Sequence, residues 1–170
     1  MTQLVHSIPR NETETVEHVR RPIRRVFHEV QLFERATLKT LVQYRSLSRE
    51  DYFGTVMPSW SLLKAGLLVD FKIEEMALFP TIIMKSKDAR PLIFSLSMEQ
   101  DYITEALRDF ENIQDYEASQ SKLDELITLL CKYIIKWVGI TFSVSLSKEE
   151  ETHIAKLASI IESWPAVIPY

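Results

Sequence analysis

The stretch DFKIEEMALFP, residues Asp70 to Pro80, is where the reading of this chain turns. Ile73, Ala77 and Leu78 continue an apolar pattern begun at Leu62, Leu63 and Leu67, which predicts one long helix over about residues 57–84. Inside that pattern stand three carboxylates, Asp70, Glu74 and Glu75. A face that only had to pack has no use for them, whereas a face that holds a metal ion has. The same residues also admit a plain reading, with Asp70, Lys72 and Glu75 on the wet side of an amphipathic helix.

Working outward, the pattern repeats. Pro22 suits a first helical turn, where its missing N–H is not needed. Ile23, Val26, Phe27, Val30, Phe33, Leu38, Leu41 and Val42 then recur at helical steps, and that helix is expected to end near Arg45. Ser48 with Asp51 offers a capping box for the second helix, although Gly54 and Pro58 complicate its first turns. Beyond KSKDARP, Pro91 opens a third helix of about residues 90–113 with Leu92, Leu96, Ile103, Leu107 and Phe110 on one side. A fourth, about residues 116–142, carries Leu123, Leu126, Leu130, Tyr133, Ile134, Trp137 and Ile140. Ser147 and Glu150 form another capping-box candidate, ahead of a short helix stopped by Pro165 and Pro169.

Four long helices joined by short links predict an all-α protein, an antiparallel up-down four-helix bundle with a short fifth C-terminal helix. The expected organisation is a loose arm over residues 1–20, the bundle over 21–164 and a tail over 165–170.

Composition excludes several classes. Three glycines among 170 residues are too few for an all-β chain, and no glycine-rich phosphate loop is present. A net charge of -4 gives no reason to expect nucleic acid. The single Cys131 cannot close an internal disulfide, which suits a reducing compartment. No signal-peptide core and no apolar run near ~20 residues occurs, so the expectation is a cytoplasmic protein with no membrane partner.

The run D-x-x-x-E-E-x-x-L-F-P resembles the H-x-x-x-E-E-x-x-L-F-P motif of the hemerythrin-like, cation-binding bundle family, and the resemblance extends over about residues 20–160. In that family the leading His and the Glu four residues on both ligate iron. The resemblance implies that His28, in RRVFHEVQLF, is the first-helix ligand and that Asp70 and Glu74 are the second-helix ligands. It also implies departures. Gln100 stands where the third helix usually has His, and Tyr133 and Trp137 stand where the fourth helix usually has His and Glu. Asp70–Phe79 and Tyr133–Phe142 align with each other without a gap, and LSKEE resembles the family's entry to the last short helix.

Chemistry narrows what this set can do. A di-iron site needs several imidazoles and bridging carboxylates, whereas Trp137 brings only an N–H donor and fills space a second ion would need. A single iron or other divalent ion could still take His28, Asp70 and Glu74, with Tyr133 adding a phenolate. In the metal-free alternative His28 bonds Glu74 or Asp70, while Gln100 and Tyr133 satisfy the remaining lone pairs. Neighbouring carboxylates without a cation would then push one pKa upward.

Elsewhere, Arg20, Arg21, Arg24 and Arg25 could bind an anion at a helix N-terminus or simply be solvated, Cys131 reads as a core residue, and His6, His18 and His153 read as surface residues. The sequence therefore predicts a hemerythrin-like bundle whose di-iron site is largely lost. Its expected role is that of a non-catalytic binding or regulatory module with no catalytic residues. Its expected partner is a protein or a second copy of itself, met through WPAVIPY or DYFGTVMPSW. The alternative is a single-metal protein sensing or handling oxygen, nitric oxide or iron.

Overall fold

Ser48 opens the helix that carries Asp70–Pro80. Its side chain accepts from the Asp51 backbone N–H and donates to the Asp51 carboxylate at 2.7 Å, so the cap forms, but Asp51 bonds the hydroxyl and not the Ser48 N–H that the expected capping box would use. The computed structural model describes residues 31–141, 144 and 146–163. Within these, every regular element is helical. Residues 31–45 form α1. Helix α2 (Arg49–Ile73) runs through a π-helical turn (Glu74–Leu78) into α3 (Phe79–Lys85). After a 3-10 turn (Lys87–Ala89) come α4 (Arg90–Glu111), α5 (Tyr116–Thr141) and α6 (Lys148–Glu162).

The helix ends follow local chemistry. Ser147 and Glu150 form a reciprocal capping box at the start of α6, with the Ser147 N–H donating to Glu150 at 2.6 Å. Pro91 lies in the first turn of α4, where no N–H is required. The π turn lies directly ahead of Pro80, whose ring would press on the carbonyl four residues back in an unbroken α-helix. There the Phe79 N–H reaches back five residues, to the Glu74 carbonyl. Such turns often sit at functional positions, and this one carries Glu74.

One apolar core joins the elements. Trp60 of α2 stacks on Phe110 of α4 at 3.9 Å between ring centroids. Phe79 of α3 meets Trp137 of α5 edge-on at 5.5 Å. Leu67, Leu78, Leu96, Leu107, Leu126 and Leu130 are fully enclosed between them. Ile154 and Ile161 bring α6 into the same core, against α2 and the π turn. All seven predicted apolar positions of α5 are buried.

Several expectations change. The buried face of α1 is Glu34, Thr37, Leu41 and Tyr44, while Val42 faces outward and Phe33 lies part-exposed over Gly66 at the edge of the α1–α2 contact; apolar residues on both sides of this helix disguised its inner face. Leu62 is exposed, and α2 begins at Arg49, because Ser48 caps it there. DYFGTVMPSW is no irregular surface segment, since Tyr52, Val56 and Trp60 form the inward stripe of α2 at four-residue steps. Cys131 is half-buried and free. The arm, Arg20–Arg25, His28 and WPAVIPY lie outside the described residues.

No described helix is long and apolar enough to cross a membrane.

Candidate functional site

Glu74 leaves α2 at the π turn and is completely buried. A carboxylate there has lost its water, so its bonds must come from protein. They come from two other helices. Trp137 of α5 donates its indole N–H to one oxygen. Tyr133, one turn earlier on α5, donates its O–H to the other. Gln100 of α4 donates its amide N–H to that second oxygen at 2.6 Å and lies 2.8 Å from the Tyr133 hydroxyl. Tyr133 and Trp137 are four residues apart and therefore share one face of α5. The π turn, α4 and α5 thus converge on one acid.

A fifth residue completes the group. Glu34 of α1 is fully buried, and its carboxyl lies against that of Glu74. Neither Glu34 oxygen meets an N–H or O–H donor. A buried carboxyl that no donor reaches, beside a second buried carboxyl, favours its protonated form. Burial pushes Glu34 well above the usual carboxylate range, and the Glu74 and Asp70 charges push it further. Burial also raises Glu74, to about 7, against the pull of its four partners Tyr133, Glu34, Trp137 and Gln100. Since Glu74 receives the donors and Glu34 has none, Glu34 is the acid that keeps the proton. Tyr133 is held well above its normal range by burial and by the carboxylate charges, so its phenol remains a donor.

Comparison with protein-family models, with curated proteins and with solved structures gives no match.

Of the six residues singled out from the sequence, four meet here: Glu74, Gln100, Tyr133 and Trp137. Asp70 is half-buried one turn before Glu74 and close enough to act on Glu34. His28 lies outside the described residues. Glu34 was missed by sequence reasoning. A signal existed, because it stands three residues before Thr37 and seven before Leu41, on the helical face those residues share.

The donor set can be tested against a metal. An ion takes lone pairs, and both Glu74 oxygens already accept from N–H or O–H groups. Among the described residues no three His, Cys, Asp or Glu side chains are placed to hold an ion. One feature points the other way: the Gln100 carbonyl oxygen is buried without a donor, as are both Glu34 oxygens. With Glu34 protonated, one of these needs is met internally. The described groups therefore fit a proton better than a metal.

Proposed function

We propose that the chain is a hemerythrin-like, antiparallel up-down four-helix bundle with a short fifth helix, in which a hydrogen-bonded carboxyl pair has replaced the metal centre. It serves as a non-catalytic binding or regulatory module. The observation that carries this is the indole of Trp137 donating to Glu74 at the place where the family has a metal-binding carboxylate. An N–H there repels a cation and occupies its volume. Gln100 and Tyr133 spend the remaining lone pairs of the same acid.

The topology has support from contacts that run in opposite chain directions. Tyr44 meets Ser59 at 2.5 Å, and Phe33 lies against Gly66, as antiparallel α1 and α2 require. Lys64–Glu111 and Glu74–Gln100 relate α2 to α4 in the same sense. Lys122–Asp109 and Lys136–Ser95 do so for α4 and α5.

A second reading, one iron or other divalent ion held by His28, Asp70 and Glu74, draws on the acceptors of Glu34 and Gln100 that no donor reaches. Metal content separates the two. Elemental analysis of gently purified protein, with spectra before and after ferrous iron in air, is expected to give no stoichiometric metal and no new band. A chelator should leave the thermal midpoint unmoved. Near-stoichiometric metal that His28→Ala and Glu74→Ala both strip would overturn the metal-free reading in favour of the single ion.

A further inference from the structure

Helix α2 is apolar on its outer side as well as its inner one. Residues two apart on a helix point roughly 200° away from each other. Trp60, Leu67 and Phe71 are enclosed, so Leu62, Val69 and Ile73 stand on the opposite side. Pro58, four residues before Leu62, extends that outer stripe. From Tyr52 to Val69 the only charged side chain is Lys64, which is turned to α4 and pairs with Glu111 at 2.6 Å. A helix that is apolar all round is normally covered all round.

Here the cover reaches over one half only. Lys85 at the end of α3 bonds Glu150 in the first turn of α6 at 2.7 Å, and α6 packs on the π turn and α2. It therefore runs back along the rod made by α2, the π turn and α3. Twelve steps from Glu150 to Glu162 carry it roughly 18 Å, from the level of Lys85 to about that of Ile73. Exposure then rises along the stripe away from α6. Ile73 is 3% exposed, Val69 is half-buried and Leu62 is 80% exposed. Pro58 is exposed too and has no N–H for the Gly54 carbonyl, so that oxygen lacks its helical donor.

We propose that WPAVIPY, residues 164–170, continues from the end of α6 along this stripe. Ile168 lies over Leu62, and Tyr170 lies at Pro58 with its hydroxyl donating to the Gly54 carbonyl. The lengths agree. Ile73 to Pro58 is fifteen helical steps, roughly 22 Å, and seven residues in the extended form that proline favours also span roughly 22 Å. The chemistry agrees as well, because no side chain of the segment is charged, and Pro165 and Pro169 bar a continuation of α6. Joined directly to α6, the segment stands before the stripe at an effective concentration on the order of millimolar, which favours it over the same segment of a second copy. The two apolar segments that the sequence singles out, WPAVIPY and DYFGTVMPSW, then cover each other.

This goes beyond the metal-free reading of the carboxyl pair, and its test is blind to metal content. In a chain with Cys131→Ser, the pair Leu62→Cys and Ile168→Cys is expected to close a disulfide within one chain on mild oxidation. Glu125→Cys on the exposed side of α5, paired with Ile168→Cys, should stay reduced. Alone, the Leu62→Cys thiol should react with a maleimide about tenfold more slowly in the full chain than in one stopped after Ser163. Ile168→Asp in the full chain should release that thiol to a similar degree, with circular dichroism verifying that each variant folds. Equal labelling in all three chains overturns the proposal. So does a disulfide that joins two chains in a concentration-dependent way, which assigns the stripe to the segment of a second copy.

Discussion

Tyr133 shows how much one hydroxyl can carry in this core. It is fully buried, it donates to Glu74, and it receives the Gln100 amide N–H at 2.8 Å. Tyr133→Phe keeps the ring, including its contact with Phe71 at 5.3 Å, and deletes only the hydroxyl. A carboxylate that loses one of its donors in a dry site is destabilised, and the Gln100 N–H keeps only its bond to Glu74. The expected cost is about 1–3 kcal/mol, read from the denaturant midpoint at unchanged slope. A change near zero would mean that water enters and replaces the hydroxyl. Trp137 belongs to the same account: its indole N–H and its edge-on contact with Phe79 tie α5 to the π turn and α3.

At the scale of elements, the packing of α1 on α2 depends on a missing side chain. Gly66 of α2 faces the ring of Phe33, and a Cβ at this position would lie 2.2 Å from the ring tip. Gly66→Ala must therefore displace the ring or separate the helices, at about 1–3 kcal/mol for an overpacked contact. The better helix propensity of alanine offsets part of that, about 1 kcal/mol. Replacing Phe33 by Leu in the same chain should relieve the clash, so a double-mutant cycle in thermal unfolding is expected to show strong coupling. Additive effects would mean that Phe33 simply swings into solvent. The π turn is the other element-level device. Glu74 at its start continues the inward steps of Leu67 and Phe71, while Glu75 and Met76 stay outside.

For the whole molecule, the buried acid pair sets a pH dependence of stability. Both Glu34 and Glu74 hold protons more tightly folded than unfolded, with Glu74 at about 7. The folded chain therefore binds more protons than the unfolded one between the ordinary carboxylate range and about pH 7. The contribution of Glu74 is fully present below the unfolded pKa of about 4.5 and is lost as pH rises through about 7, and that of Glu34 falls with rising pH in the same sense. The loss is on the order of 1–3 kcal/mol. Glu34→Gln keeps the shape of the protonated acid and supplies an N–H to Glu74. It is expected to flatten this dependence and to be more stable than the parent at pH 8 but not at pH 5. A bound ion would give the opposite slope, because ionised carboxylates hold it better. Unfolding curves at several pH values for parent and variant decide between these signs.

The sequence by itself determined the helices and most of their inward faces. Capping residues, prolines and apolar steps are local signals, and local backbone physics reads them without knowledge of the partner helix. Leu96, Ile103, Leu107 and Phe110 of α4 and every predicted position of α5 lie inside for that reason. The resemblance to the hemerythrin-like motif is what singled out Glu74, Gln100, Tyr133 and Trp137. Tertiary structure alone decided what those groups bond. The spacing of Glu34 to Thr37 and Leu41 hinted at its inward place among the apolar Phe33 and Leu38, but only the fold set its carboxyl beside Glu74. The tertiary fold also separated Leu62, left in solvent, from Tyr52, Val56 and Trp60, drawn inside. Which apolar residue is buried depends on where the neighbouring helices stand, and no residue's own chemistry encodes that.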